Sequence, residues 1–169
     1  VIGRDALRSN TTGSYNTANG LGALYSNTAS SGNVAMGDSA LYSQSFATAF
    51  SSANVAIGNS ALFLNNPTLT TNGYLNTAVG NWTLRDNTIG SQNTAIGWSA
   101  LYSNVAGNKG VAIGYSSQYY ANNTATAYDN TNTSLGYQSL YVSTTAGNNI
   151  GKDNIAIGWR ALYSNTSGD

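Results

Sequence analysis

The feature that most constrains this chain is a glycine that returns throughout its length with the same neighbours around it. Gly3, Gly20, Gly37, Gly58, Gly80, Gly97, Gly114, Gly136 and Gly158 each close an Asn-Thr/Val-Ala-Ile-Gly motif or a close variant of it, and Ala-Leu-Tyr-Ser or a variant follows. The intervals are 17, 17, 21, 22, 17, 17, 22 and 22 residues. The base unit is therefore 17 residues, lengthened by four or five in half of the copies. A fixed period of this size, with a supersecondary unit too small to bury its own apolar face, is the signature of stacked repeats.

Aligned on the glycine, the extra residues fall in one place, the segments 43–53, 64–75, 120–131 and 142–153. Insertions confined to one position predict a loop that faces outward while the rest of each coil is held by its neighbours. The single proline, Pro67, lies in such a segment, as expected for a residue that cannot donate to a β ladder.

The columns of the alignment predict a cross-section. A large apolar column precedes the glycine: Ile2, Met36, Ile57, Val79, Ile96, Ile113, Leu135 and Ile157, with Asn19 as the exception. Two residues earlier stand Thr17, Val34, Val55, Thr77, Thr94, Val111, Thr133 and Ile155. A period of two places both columns on one strand face. The opposite face carries Ala18, Ala35, Ala56, Ala78, Ala95, Ala112, Ser134 and Ala156 and then the glycines, residues so small that another backbone is expected to approach there.

A second short strand is expected over the Ala-Leu-Tyr stretch. Its Leu column runs through Leu7, Leu24, Leu41, Leu62, Leu84, Leu101, Leu140 and Leu162, broken by Gln118, beside an aromatic column of Tyr25, Tyr42, Phe63, Tyr102, Tyr119, Tyr141 and Tyr163. The large apolar residues are expected inside. Asn16, Asn33, Asn54, Asn76, Asn93, Asn132 and Asn154, with Gly110 as the exception, predict an amide ladder along the stack. Glycine in every unit, β-branched enrichment and frequent turn residues argue against helix. The fold class is thus all-β: a parallel β-roll or β-solenoid of about nine coils forming one repeat domain over residues 1–169, expected to be a segment of a longer array.

The motifs Asn33-Val34-Ala35-Met36-Gly37, Asn54-Val55-Ala56-Ile57-Gly58, Asn93-Thr94-Ala95-Ile96-Gly97 and Asn154-Ile155-Ala156-Ile157-Gly158 resemble the head repeats of trimeric autotransporter adhesins of the YadA-like (Hep/Hag) type, and similar repeats of bacterial and phage tail-fibre proteins. The resemblance spans the chain. It implies a left-handed parallel β-roll, three identical chains packed side by side, and a place in an extracellular, cell-surface or virion fibre. The Ala/Gly face is then expected to meet the neighbouring subunit.

Chemistry is constrained by what the chain lacks. It has no histidine, cysteine or glutamate, and its six acidic residues are all aspartates. The commonest general base, the thiolate and most transition-metal ligands are therefore missing. Only Asp129 and Asp153 occupy neighbouring loop positions, the arrangement a glycosidase pair would need. No catalytic, cofactor or metal site is assigned, and an enzyme is not expected. With 7% charged residues and no net charge, the chain has no basic patch for nucleic acid, and no apolar run long enough for a membrane helix.

Partner contact is expected instead at Trp82, Trp98, Tyr115, Tyr137 and Trp159, which cluster just after the glycines in the C-terminal half, and at the inserted loops. The expected function is a structural and adhesive fibre segment, self-associating as a homotrimer or filament and displaying loops to a glycan or protein receptor. The alternative is an ice- or carbohydrate-binding β-solenoid.

Overall fold

A computed structural model describes residues 1–67, 69–121, 124–142 and 151–165. In chain order the strands are β1 (Thr17–Asn19), β2 (Ser30–Ser31), β3 (Val34–Met36), β4 (Phe50–Ser51), β5 (Val55–Ile57), β6 (Thr77–Val79), β7 (Thr94–Ile96), β8 (Gly107–Asn108), β9 (Val111–Ile113), β10 (Tyr128–Asp129), β11 (Thr133–Leu135) and β12 (Ile155–Ile157). No helix occurs among the described residues. The three-residue strands form one eight-stranded sheet in the order β1-β3-β5-β6-β7-β9-β11-β12, every pair parallel. Since each strand pairs with its counterpart in the next repeat, the chain advances one sheet position per turn. This is a parallel β-solenoid.

Register follows the repeat without a slip. Thr17, Val34, Val55, Thr77, Thr94, Val111, Thr133 and Ile155 lie side by side, and so do the alanines that follow them. The 21- and 22-residue intervals therefore disturb no strand pairing. The shorter pairs β2–β4 and β8–β10 are parallel too and lie where longer coils pass their neighbours.

The inside and outside of the sheet are the reverse of the expectation. Ala18, Ala35, Ala56, Ala78, Ala95 and Ala112 are at most 1% exposed, whereas Met36, Ile57, Ile96, Leu135 and Ile157 are 37–66% exposed. The alanine face is the interior of this chain, so no neighbouring subunit meets it. Its partner is the Leu column of the same coils: Leu24, Leu41, Leu62, Leu84 and Leu101 are wholly buried, packed with Ala23, Ala40, Ala61 and Ala100. One leucine and two alanines per coil fill a cross-section too narrow for a second large side chain.

The Ala-Leu-Tyr stretch is also not a strand. Leu7, Leu24, Leu41, Leu62, Leu84, Leu101, Leu140 and Leu162 have φ between 49° and 54°, in the left-handed region that costs a bulky L-residue on the order of 1–2 kcal/mol. The residue two before each leucine is also left-handed, as at Ser39, Ser60 and Ser99, so the chain turns a tight corner, which points the leucines from Leu24 to Leu140 inward. Hydrogen bonds between coils hold this corner: Leu24 N–H donates to the Ala40 carbonyl at 2.9 Å, Leu41 to Ala61 at 3.0 Å and Leu84 to Ala100 at 3.0 Å. Satisfying the buried backbone in this way offsets the conformational cost.

The repeated glycine is required twice over. Its φ lies between 117° and 138°, a region open to glycine alone. From Gly3 to Gly136, a Cβ at each of these glycines would sit well inside 3.0 Å of the next one's carbonyl group. Close approach of a second backbone was expected here, and it comes from the adjacent coil.

Candidate contact surfaces

Two amide ladders run through the interior and leave the outside free for contact. Asn33 donates through Nδ2 to Asn16 Oδ1 at 3.0 Å, and Asn93 to Asn76 Oδ1 at 3.1 Å. The same oxygens accept the backbone N–H of the next coil, as Asn54 N–H to Asn33 Oδ1 at 3.0 Å. A second ladder runs from Asn10 through Asn27, and from Gln44 through Asn65, Asn87 and Asn104. Most of these amides are buried and bonded to the amides of the adjacent coils, so they are ladder rungs.

The outward face of the long sheet carries the Thr/Val and Ile columns. It is uncharged along its strands, and Ile57, Ile96 and Leu135 are exposed large apolar residues in its middle. Seven steps of about 4.8 Å across eight strands make a stripe about 34 Å long, and a contiguous exposed apolar stripe is a candidate contact surface.

The aromatic residues expected to contact a partner border this stripe. Trp82 and Trp98 have ring centroids 5.2 Å apart, Trp98 and Tyr115 stack at 4.8 Å, and Tyr115 and Tyr137 at 5.2 Å. Trp159 is 71% exposed, with the Arg160 guanidinium 5.2 Å from its ring. From Trp98 to Tyr137 the rings lie face to face along the stack, so they turn edges and polar tips outward. Ring faces, which a sugar would stack on, are largely taken up by the neighbouring rings.

A second ladder was only partly visible in the alignment. Arg8 lies over Tyr25 at 5.4 Å, Tyr25 stacks on Tyr42 at 4.8 Å and Tyr42 on Phe63 at 5.3 Å. Arg85 then takes an aromatic position, 5.6 Å from both Phe63 and Tyr102, and the series continues through Tyr119, Tyr141 and Tyr163. Both arginines occupy the same alignment column as the tyrosines, which was the available signal. Burial holds the Tyr141 phenol up at about 12, helped by the neighbouring Tyr120, and burial likewise raises Tyr119. Asp86 is raised by burial against the opposing pull of Arg85, which it meets at 2.7 Å.

The inserted loops pack on each other. Phe46 is buried and lies 5.2 Å from Phe50, which meets Tyr74 edge-on at 6.1 Å. Pro67 is buried, and an open groove of about 310 Å³ runs between Phe46, Ala47, Thr48, Pro67, Leu69 and Thr70. Most of the expected loop 142–153 lies outside the described residues, as do 122 and 123 of the loop 120–131.

Asp129 is bound to the Lys109 ammonium at 2.6 Å, and that hydrogen bond holds its carboxyl below the ordinary carboxylate range. A glycosidic general acid needs the opposite shift. Among the described residues no group of three or more Asp, Glu, His or Cys side chains is gathered for a metal ion. Comparison with protein-family models, with curated proteins and with solved structures finds no match to this chain.

Proposed function

We propose that this chain is a segment of an extracellular or virion fibre, a stack of nine coils that associates with further copies of itself through the outer face of its long sheet and displays its inserted loops to a glycan or protein receptor. The observation that carries the reading is the uncharged stripe of Met36, Ile57, Ile96 and Leu135 with its Thr/Val companions, large apolar side chains that the filled interior has no room for and that stand exposed together on one face. Covering such a stripe removes apolar surface from water at about 25 cal/mol per Å². Self-association as a homotrimer of side-by-side rolls, as in the YadA-like head repeats, fits a flat face of this kind, and the aromatic edges at its border extend it.

The test is mass in solution. The unaltered chain should run as three copies, and Ile57→Asp with Ile96→Asp should give a folded single copy with unchanged far-ultraviolet circular dichroism. A single copy at all concentrations for the unaltered chain would sink the assembly.

The exposure of the same face favours one second reading, a lattice-matching surface for ice. Thr17, Thr77, Thr94 and Thr133 stand in register with valines on a regular strand spacing. Thermal hysteresis from the unaltered chain, abolished by Thr94→Lys, would replace the fibre reading with this one.

A further inference from the structure

The interior columns hold alanine and leucine almost throughout, and four of their five polar exceptions, all but Thr83, are concentrated in one place. In the coil of Gly114 the leucine is replaced by Gln118 and an alanine by Ser117; in the next coil, that of Gly136, two alanines are replaced by Ser134 and Ser139. All four side chains are buried, at most 1% exposed. They bond to one another. Gln118 Nε2 donates to Ser134 Oγ at 3.1 Å and to the Val111 carbonyl at 2.8 Å, and Ser117 Oγ meets both Ser134 Oγ and Ser139 Oγ.

The amide ladder is altered at the same level. Gly110 stands where other coils carry asparagine, and a Cβ there would lie 2.6 Å from Asn130 Nδ2. Asn130 uses that space to donate to Gln118 Oε1 at 3.0 Å, while Asn132 donates to Asn130 Oδ1 at 2.8 Å. The two coils are complementary to each other and mismatched to the rest. A coil with asparagine at the Gly110 position would collide with Asn130, and a coil with leucine at the Gln118 position would leave Asn130 and Ser134 without these partners.

We propose that this buried polar plug is a register lock, which compels the coil of Gly136 to stack on the coil of Gly114 and on no other. Near-identical coils carry an inherent hazard: a coil can be skipped during folding and its neighbours paired directly, with almost the same burial and hydrogen bonding as in the correct stack. Polar groups that are satisfied in one pairing alone penalise every alternative, because a buried donor or acceptor without a partner is costly. The lock lies between the coils of Tyr115 and Tyr137, so it also fixes the spacing of the outer aromatic edges. It does not rest on the fibre reading, since all its bonds lie within one chain.

A disulfide reporter tests it. Ile96 and Leu135 both pair with Ile113 from opposite sides, two strand spacings or about 10 Å apart, beyond the roughly 7 Å that a disulfide spans. They become neighbours only when the coil of Gly114 is skipped. Ile96→Cys with Leu135→Cys is placed in the unaltered chain and in one whose plug is erased by Gly110→Asn, Ser117→Ala, Gln118→Leu, Asn130→Ala, Ser134→Ala and Ser139→Ala. Both are unfolded, refolded at high dilution under mild oxidant, and read as the intramolecular disulfide by peptide mass.

The erased chain should yield about tenfold more of the 96–135 disulfide, the ratio expected from removing a single mismatch penalty. Equal yields from the two chains overturn the proposal. An erased chain that fails to fold overturns it too, because the plug would then supply stability and not pairing choice. As a second reading of the same coupling, Gln118→Leu should lower the melting temperature, and adding Asn130→Ala and Ser134→Ala should restore most of the loss. Strictly additive losses would count against the lock.

Discussion

At the residue scale, the backbone decides what each repeated position tolerates. Gly97 has φ 125° and the Gly114 carbonyl where a Cβ would stand. Gly97→Ala should destabilise the chain by more than about 2 kcal/mol in a denaturant titration, from strain and clash together. Gly32 is the control: its φ is 75°, yet the corresponding Ala53 and Leu75 are left-handed without being glycine, and its nearest neighbour would be the Ser51 hydroxyl at 3.2 Å. Gly32→Ala should change stability by less than about 1 kcal/mol, part of any strain being offset by a stiffer unfolded chain. The repeated glycines were legible in the sequence because every coil demands them. The left-handed leucines were not, since nothing in a leucine announces a conformation it ordinarily avoids.

At the element scale, the strand positions and the pairing register could be read from the alignment, but which face lay inside could not. Alternation separates two faces and leaves their assignment to size, and here size misleads. Ile57 and Ile96 were expected within, but the coil has already filled its interior with one leucine and two alanines, so they stand outside. The tyrosine ladder makes a prediction of its own. Free tyrosines ionise near pH 10, whereas Tyr141 in the folded chain is held up at about 12 and Tyr119 is raised as well. A raised folded value means stability that is complete below the unfolded value and is lost as pH rises toward the folded one. Stability should therefore fall between about pH 10 and 12, with the Tyr141 tyrosinate absorbance, isolated by difference against Tyr141→Phe, appearing together with unfolding; a Tyr141 phenol that titrates near 10 in a chain still folded would contradict this. Arg85→Ala, which removes the cation between Phe63 and Tyr102, should cost about 1 kcal/mol measured in the same way.

At the scale of the whole molecule, stability is approximately a sum over neighbouring coils, to which the inserted segments add through Gln44, Asn65 and the pairing of β4 with β2. Excision of residues 81–97, one 17-residue unit, should leave a folded solenoid shorter by about 4.8 Å in its longest dimension by small-angle scattering. Collapse of the whole chain on such an excision would show that the coils are not interchangeable at that level. The aromatic cluster at Trp82, Trp98, Tyr115 and Tyr137 was legible as a group because it falls in nearly one column. The packing of Phe46, Phe50 and Tyr74 was not, because inserted loops share no column through which one can predict another.

The direction of the strands has a mechanical consequence. They lie across the stack, so the hydrogen bonds from one coil to the next point along it, and a pull on the two ends loads those bonds one after another instead of all at once. Such a chain yields coil by coil at modest force. Each 17-residue unit released could extend to about 60 Å, and the corner and ladder bonds would re-form when the load is removed. A fibre made of such segments would lengthen in steps under a sudden pull and so spare whatever holds it at either end.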